Sequence, residues 1–145
     1  MRGGVATIFG QDFSQRMIAL AQPKMPRARL YCSDFTQGLA AELTQNSYDA
    51  IIATYSLHHL TDAQKVAFLN GLLPLLNDGG CIYIGDVAFR TREEWRQCRA
   101  LAGAEWDDGE IYFVFDELRP SFPRMTFERL SCCAGVLRLE KSFFS

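Results

Sequence analysis

The sequence predicts an α/β fold with a mostly parallel sheet and an antiparallel hairpin near the C-terminus. Three observations predict it. Short apolar runs alternate with helical patterns through the first part of the chain. These runs are apolar on both sides, which is typical of parallel strands covered by helices on both faces. Two strand patterns near the C-terminus are joined by only a few residues, and a connection that short requires antiparallel strands.

The first part of the chain supplies strands and helices in alternation. A β-branched and aromatic run at 5–10 predicts the first strand. A helix should follow, because Ser14 is a good N-cap, the next residues carry an apolar stripe, and Pro23 ends the pattern. The runs at 28–32 and 48–54 predict the second and third strands, with a loop between them.

A second helix and a fourth strand continue the alternation. Thr61 and Gln64 have the spacing of a capping box, and a regular leucine pattern follows them to an exit at Gly79-Gly80. The run at 81–86 then predicts the fourth strand. We therefore expect this strand to join the same parallel sheet.

The rest of the chain has a different pattern. Thr91 and Glu94 again have capping-box spacing, for a helix that ends near Gly103. The stretches 125–131 and 135–141 predict the two strands of the hairpin. No repeat, linker or low-complexity tract interrupts the sequence.

Composition and charge restrict the function. A chain of 145 residues that is 48% hydrophobic should form one domain over residues 1–145. A net charge of −2 without a basic cluster argues against nucleic-acid binding. No stretch approaches the about 18 apolar residues of a membrane span. Five cysteines without C-x-x-C spacing indicate reduced thiols, so we expect a cytoplasmic protein.

Polar residues stand at the ends of the predicted parallel strands. Asp12, Asp34, Thr54-Tyr55 and Asp86 each come at or just after such an end. In open α/β sheets, ligands bind at the carboxyl ends of the strands. Four polar stops at successive strand ends therefore predict a ligand-binding rim.

The first two of these residues suit a nucleoside. A carboxylate at Asp12 can accept hydrogen bonds from both hydroxyls of a ribose. Asp34 can accept from the exocyclic amino group of an adenine, with Phe35 against the ring. Each aspartate also has a structural interpretation, because Asp commonly begins a turn or caps a helix after a strand.

Four segments together resemble a known family. In order and spacing they are similar to the class I S-adenosylmethionine-dependent methyltransferases, particularly the small-molecule branch: TIFGQDFSQRMIALA, LYCSDF, YDAIIATYSLHHLTD and LLNDGGCIYIGD. The resemblance covers most of the chain. It implies a Rossmann-like sheet, S-adenosylmethionine as the cofactor and a small-molecule methyl acceptor.

The resemblance also implies roles for individual residues. The acid that holds the cofactor ribose matches Asp12, beside Phe13, and the acid that meets the adenine matches Asp34, beside Phe35. The strand that ends next to cofactor and substrate matches 48–54. It places Thr54 at the cofactor, and it places Tyr55 and His58 near the transferred methyl group. Tyr55 alternatively packs at the sheet edge.

One part of the family pattern is missing. The first strand and its G-x-G-x-G turn normally precede the ribose acid by about 20 residues. Asp12 has too few residues before it for both. In the family this strand lies between the strands matched by 5–10 and 48–54. We therefore expect an N-terminally incomplete, truncated sheet with two open edges, and a homodimer that completes it.

The adjacent histidines allow two kinds of chemistry. His58 can act as a general base at neutral pH. A metal site with Asp62 is the alternative, but adjacent side chains point apart and no third histidine exists, so we expect no metal. Methyl transfer also often needs only positioning and desolvation, with no catalytic residue.

Two functions therefore stay open. The first is S-adenosylmethionine-dependent methyl transfer to an unidentified small molecule. The second is a truncated or degenerate relative that binds no cofactor and acts as an interaction module. A nicotinamide-dependent Rossmann protein ranks third, because it too needs the glycine-rich turn and lacks the terminal hairpin.

Overall fold

A computed structural model of the chain describes residues 7–141. The chain divides into two compact units, Met1–Asn46 and Ser47–Ser145, which are described separately. The prediction of one domain over residues 1–145 stays a prediction.

The first unit is a two-stranded parallel sheet with one connecting helix. Its elements are β1 (Phe9–Asp12), α1 (Gln15–Ala21) and β2 (Arg29–Cys32). As predicted, Ser14 caps α1, and its hydroxyl accepts a hydrogen bond from the backbone N–H of Met17 at 3.2 Å. Short 3-10 turns at Phe35–Gln37 and Leu43–Gln45 occupy the predicted loop.

The first predicted strand differs in its bounds. Residues 5 and 6 lie outside the described part of the chain, and β1 continues past Gly10 to Asp12. Its ladder with β2 explains this, because Asp12 still pairs with Cys32. Gly10 permits the close packing of the ladder, since a Cβ there would lie 2.8 Å from Cδ2 of Leu30.

The second unit contains a five-stranded sheet in which parallel and antiparallel pairs meet. Its strands are β3 (Tyr48–Thr54), β4 (Leu76–Phe89), β5 (Phe113–Val114), β6 (Thr126–Arg129) and β7 (Ala134–Glu140). β3 and β5 pair with β4 in parallel, whereas β7 pairs antiparallel with both β4 and β6. The hairpin and the α/β class are therefore confirmed.

Three helices accompany this sheet. They are α2 (Asp62–Leu72), α3 (Arg92–Ala102) and α4 (Phe115–Leu118). Both halves of the predicted capping box of α2 are present: Thr61 Oγ1 accepts from the N–H of Gln64 at 3.2 Å, and Gln64 Oε1 accepts from that of Thr61 at 2.8 Å.

The capping box predicted for α3 forms only in part. Thr91 Oγ1 accepts from the N–H of Glu94 at 3.2 Å, as predicted. The Glu94 carboxylate instead accepts from the N–H of Arg90 at 3.0 Å and pairs with Arg129. The ion pair to β6 draws the carboxylate away from Thr91. α3 ends at Ala102, and Gly103 follows as its C-cap with a φ of +55°.

The end of α2 was predicted too far along the chain. The helix stops at Leu72, and Leu73–Leu75 form a 3-10 turn that contains Pro74. Proline lacks the backbone N–H that continues an α-helix and disfavours helical geometry in the preceding residue. Leu76, expected on the helical stripe, therefore begins β4.

The core of the second unit lies between this sheet and its helices. Its fully buried side chains include Leu57, Leu69, Ile82, Ile84, Phe89, Phe113 and Leu137. Within residues 7–141, no helix is both long and apolar enough to cross a membrane.

We expect that Thr61→Ala lowers the free energy of unfolding by about 1 kcal/mol, because it removes an N-cap acceptor. Urea denaturation followed by circular dichroism measures the change. Thr36→Ala is the control, since Thr36 is exposed and its hydroxyl makes no hydrogen bond among the described residues. Equal losses in the two variants would contradict the assigned cap.

Candidate functional site

The strand ends of the first unit bring two predicted carboxylates to one edge. Asp12 is the last residue of β1, and Asp34 follows the end of β2 by two residues. The strands are parallel neighbours, with Asp12 opposite Cys32. Both aspartates therefore lie at the carboxyl edge of this sheet, as the sequence predicted.

Each of these carboxylates also organises its own turn. Asp12 Oδ1 accepts from the N–H of Ser14 at 2.8 Å, and Asp34 Oδ1 accepts from the N–H of Thr36 at 2.9 Å. The structural interpretation of both residues is thus correct. Oδ2 of Asp12 has no hydrogen bond among the described residues, so it stays available to a ligand.

The aromatic residues beside these carboxylates differ in exposure. Phe13 is 66% exposed, which is unusual for a phenylalanine and leaves its ring open to a ligand. Phe35 is half-buried. Their assignment to a cofactor stays a prediction.

Gln11 holds the loop after β2, and the sequence analysis did not identify it. Its Nε2 donates to the carbonyls of Ser33 and Gly38 at 3.3 and 3.2 Å, and its Oε1 accepts from the N–H of Ala40 at 2.7 Å. These bonds fix the loop that contains Asp34. The sequence carried no clear signal for this role, because Gln11 lies between Gly10 and Asp12 at the polar end of the strand.

In the second unit, a strained residue directly follows β3. Thr54 is the last residue of β3, and Tyr55 follows with φ of +49°. A bulky side chain rarely adopts this left-handed geometry, and such strain often occurs at functional sites. The N–H of Tyr55 bonds to the carbonyl of Gly85 at 2.8 Å, and its side chain is 60% exposed. The backbone of Tyr55 is therefore fixed, and its side chain is exposed to solvent instead of packed against the sheet.

The histidines lie in a turn after β3. The N–H of Leu60 bonds to the carbonyl of Leu57 at 3.1 Å, so His58 and His59 occupy the middle of the turn. Their ring centroids are 4.3 Å apart. The expectation that the two side chains point apart is wrong, because the turn brings the two rings together.

His58 lies between two carboxylates. Its Nδ1 is 3.1 Å from Oδ1 of Asp86, and its Nε2 is 3.3 Å from Oε2 of Glu110. The His58 side chain is 13% exposed, that of Asp86 is fully buried, and that of Glu110 is 25% exposed. A neutral ring can donate to only one of these carboxylates, whereas a protonated ring donates to both.

Asp86 does not end its strand, contrary to the prediction. β4 continues to Phe89, because the antiparallel ladder pairs Asp86 with Gly135 and Val87 with Ala134. Asp86 is 1% exposed, and its Oδ2 has no hydrogen-bond partner among the described residues. An unpartnered buried carboxylate oxygen is costly, which makes it a candidate functional group.

Lys65 is a buried charge that sequence analysis missed. Its Nζ donates to the carbonyl of Leu60 at 3.0 Å and to that of Ile111, and it lies 4.9 Å from the centroid of the Phe113 ring. Burial lowers the pKa of Lys65 from 10.5 to about 8, while Asp62 and Asp86 oppose that change. No sequence signal marked it, since lysine at a helix position is usually exposed.

Lys65 joins the two segments that carry the polar groups. It bonds to the His58 turn through Leu60 and to the segment of Glu110 through Ile111. The N–H of Ile111 also bonds to the carbonyl of His58 at 2.7 Å. We call His58, Asp86, Glu110 and Lys65 the His58 cluster.

Aromatic rings border the His58 cluster. Tyr112 packs edge-on against Trp106 at 5.1 Å between centroids and lies 6.5 Å from Phe89. Burial raises the pKa of the Tyr112 hydroxyl, with further contributions from the carboxylates of Glu110, Asp107 and Asp86. The Tyr112 hydroxyl is therefore in a partly buried, acidic environment.

The cluster has the groups for proton transfer. Asp86 can hold the Nδ1–H of His58 and so keep Nε2 as the basic nitrogen. Among residues 7–141, no three or more His, Cys, Asp or Glu side chains are grouped to hold a metal ion. The expected absence of a bound metal stays a prediction.

Comparison with known proteins identifies related sequences. A family model described as a methyltransferase domain matches residues 4–82. An uncharacterized methyltransferase of Geobacillus thermodenitrificans (strain NG80-2) is 38% identical over 129 residues, which is 83% of this chain and 59% of the relative. One of Anoxybacillus flavithermus is 35% identical over 96 residues, 66% of this chain and 44% of the relative. The chain thus spans about half the length of these curated relatives.

Solved structures share the fold. Magnesium protoporphyrin IX methyltransferase from Synechocystis PCC 6803, with bound SAH, superposes with a TM-score of 0.68 at 17% identity over 94% of this chain and 65% of that one. An N-methyltransferase from Bradyrhizobium japonicum WM9, in complex with S-adenosyl-L-homocysteine, gives 0.63 at 16% identity over 93% and 66%.

We expect the stability conferred by Lys65 to depend on pH. Between pH 8 and 10.5 the unfolded chain binds a proton that the folded chain lacks, so the free energy of unfolding rises with pH. A shift from 10.5 to about 8 corresponds to about 3 kcal/mol. Lys65→Met should lack this rise, whereas Lys24→Met, at an exposed position, should retain it. Urea denaturation at several pH values measures the difference, and parallel curves for wild type and Lys65→Met would contradict the expectation.

Proposed function

The chain belongs to the methyltransferase-domain family, within the class I S-adenosylmethionine-dependent methyltransferases, and we propose that it transfers a methyl group from S-adenosylmethionine to a small-molecule acceptor. One observation carries the proposal. Asp12 and Asp34 lie at the carboxyl ends of two paired parallel strands, within the stretch that the family model matches. Ligands of open α/β sheets bind at such ends.

The residues of the first unit fit the nucleoside part of the cofactor. Oδ2 of Asp12 is available for ribose hydroxyls, while its Oδ1 is fixed by the N–H of Ser14. We assign Asp12 and Phe13 to the ribose side and Asp34 and Phe35 to the adenine. The cofactor supplies a methyl group on a positively charged sulfonium, which makes that carbon reactive.

We assign the acceptor side to the second unit. Thr54 lines the cofactor in this proposal, and the exposed Tyr55 lines the acceptor. His58 takes the acceptor proton at Nε2, while Asp86 orients its ring through Nδ1. Because Nε2 faces Glu110 at 3.3 Å, binding of the acceptor has to move the Glu110 side chain.

A cytoplasmic location is part of the same proposal. All five cysteines are free in the structure: Cys32, Cys81, Cys98, Cys132 and Cys133. Free thiols persist in reducing compartments, which supports a cytoplasmic protein.

We expect Asp12→Ala to weaken S-adenosylmethionine binding more than His58→Ala. Asp12 is assigned charge-assisted hydrogen bonds to the ribose, whereas His58 is assigned only to the acceptor. Loss of such bonds predicts a fall of about tenfold or more in affinity for Asp12→Ala, since 1.4 kcal/mol is about a factor of ten. Isothermal titration calorimetry measures both, with Asp78→Ala, an exposed aspartate, as the control.

Two results would redirect the assignment. Equal affinities of the Asp12 and His58 variants for S-adenosylmethionine would show that Asp12 does not bind the ribose. If the unmutated chain binds no S-adenosylmethionine, the second function applies, in which the chain is an interaction module without cofactor.

We further propose a homodimer in which a strand of the second copy pairs with the open edge of β1 or β3. Among residues 7–141, β3 pairs only with β4 and β1 only with β2, and Ile52 of β3 is 71% exposed. Open apolar edges recruit strands from other chains, and two-fold pairing is the commonest closed solution.

We therefore expect twice the monomer mass of 16.4 kDa at micromolar concentration. Ile52→Lys should shift the equilibrium toward monomer, because a lysine on an edge strand disfavours pairing. Leu101→Lys, at a 90% exposed helix position, is the control and should leave the mass unchanged. Sedimentation equilibrium measures all three, and a cooperatively folded wild-type monomer would contradict the proposal.

A further inference from the structure

We infer that Lys65 is a positioning residue for His58: its buried ammonium group joins the His58 turn to the segment of Glu110 and so holds the Glu110 carboxylate at Nε2 of the His58 ring. The inference rests on the proposed function, in which Nε2 is the nitrogen that takes the acceptor proton. Three features of the second unit carry it: the burial of Lys65, the two carbonyls to which it donates, and the further backbone bond that connects the same segments.

The burial of Lys65 needs an explanation. Its side chain is 0% exposed on α2, and removing an ammonium group from water is unfavourable unless polar partners replace the water. The nearest carboxylate oxygen among the described residues, Oδ1 of Asp62, lies 3.8 Å from Nζ, beyond hydrogen-bond distance, and the Asp62 side chain is 57% exposed. An apolar side chain of similar length would fill the position without this cost. The role of the ammonium group therefore lies in what it binds.

The ammonium group binds two backbone carbonyls that lie far apart in the sequence. Nζ donates to the carbonyl of Leu60 at 3.0 Å and to that of Ile111. Leu60 is the last residue of the turn that contains His58, and Ile111 directly follows Glu110. Nε2 of His58 and Oε2 of Glu110 lie 3.3 Å apart. Lys65 therefore bridges the two segments whose side chains meet at Nε2.

A backbone bond between the same two segments completes the connection. The N–H of Ile111 donates to the carbonyl of His58 at 2.7 Å. Ile111 is thus bonded to the turn directly through its N–H and indirectly through its carbonyl, which accepts from Lys65. Two such bonds fix both the position and the direction of the backbone that precedes Phe113, whose ring centroid lies 4.9 Å from Nζ. The place of Glu110 at the ring therefore depends on a bond that Lys65 supplies.

Loss of the ammonium group should open the contact between Glu110 and His58. The carbonyl of Ile111 would lack this donor, and a buried acceptor without a donor is unfavourable. Ile111 is half-buried, so an outward movement of its segment brings the carbonyl to water. The same movement carries the Glu110 carboxylate away from Nε2. In the proposed function, acceptor binding has to displace this carboxylate, so Lys65 sets how firmly the site is closed before the acceptor enters.

The chemical reactivity of His58 measures this closure. The sequence has two histidines, so His59→Gln leaves His58 as the only one. In this background, diethyl pyrocarbonate at pH 7 acylates the uncharged imidazole, and the ultraviolet absorbance of the acylated ring gives the rate. We expect Lys65→Met to raise the rate about threefold or more, because local opening exposes Nε2. Glu110→Ala, which removes the carboxylate itself, should raise it at least as much.

A double variant separates positioning from a general loss of structure. If Lys65 acts through Glu110, Lys65→Met combined with Glu110→Ala reacts at the rate of Glu110→Ala alone. Leu69→Ala, at another fully buried position of α2, should lower the free energy of unfolding and leave the rate unchanged. Circular dichroism verifies folding, and Lys65→Leu serves if Lys65→Met does not fold. An unchanged rate in the Lys65 variant, the same acceleration with and without Glu110, or an equal acceleration by Leu69→Ala would overturn the inference.

A separate calorimetric titration with S-adenosylmethionine distinguishes this inference from the proposed function. If His58 reacts faster in Lys65→Met but the unmutated chain binds no cofactor, Lys65 positions the contact between Glu110 and His58 and the methyltransferase proposal falls. If the cofactor binds and the reactivity of His58 does not depend on Lys65, the proposed function stands and the role of Lys65 is wrong.

Discussion

Pairing along β4 is the constraint on which the second unit depends. This strand of 14 residues is hydrogen-bonded to β3 in parallel and to β7 antiparallel, and its end also pairs with β5. Because buried backbone groups need partners, these ladders fix where each neighbouring strand lies. The hairpin ladder extends β4 beyond Asp86, which places that carboxylate inside the fold instead of on a loop.

Burial of charge is the main energetic cost that this arrangement imposes. Asp86 and Lys65 are both fully buried, and an ionised group in the interior costs several kcal/mol unless it is paired and hydrogen-bonded. Backbone carbonyls satisfy Lys65, and His58 faces one oxygen of Asp86, but the other oxygen of Asp86 has no partner among the described residues. The strained φ of Tyr55 adds a second local cost nearby in sequence. Residues held at such a cost are typical of sites that bind or react, which supports the assignment of function to this region.

The sequence predicted local structure well where local physics decides it. The cap at Ser14, the capping box at Thr61 and the whole of β3 depend on neighbouring residues, and all three are confirmed. Errors arose where one local signal outweighed another. The leucine pattern suggested a helix past Leu72, but Pro74 ended it. At Glu94, an ion pair with a distant strand replaced a capping bond, which no local pattern could predict.

By itself, the sequence determined the α/β class, the family resemblance and the placement of Asp12 and Asp34 at neighbouring strand ends, because strand periodicity and chain order fix these features. Only the tertiary structure brought Asp86 and Glu110 to His58 and buried Lys65 beside them. These residues lie 28, 52 and 7 positions from His58 along the chain. Contacts over such separations depend on how strands pair and loops fold back, and side-chain type reveals neither. The same packing decides that Oδ2 of Asp86 remains without a hydrogen-bond donor among the described residues.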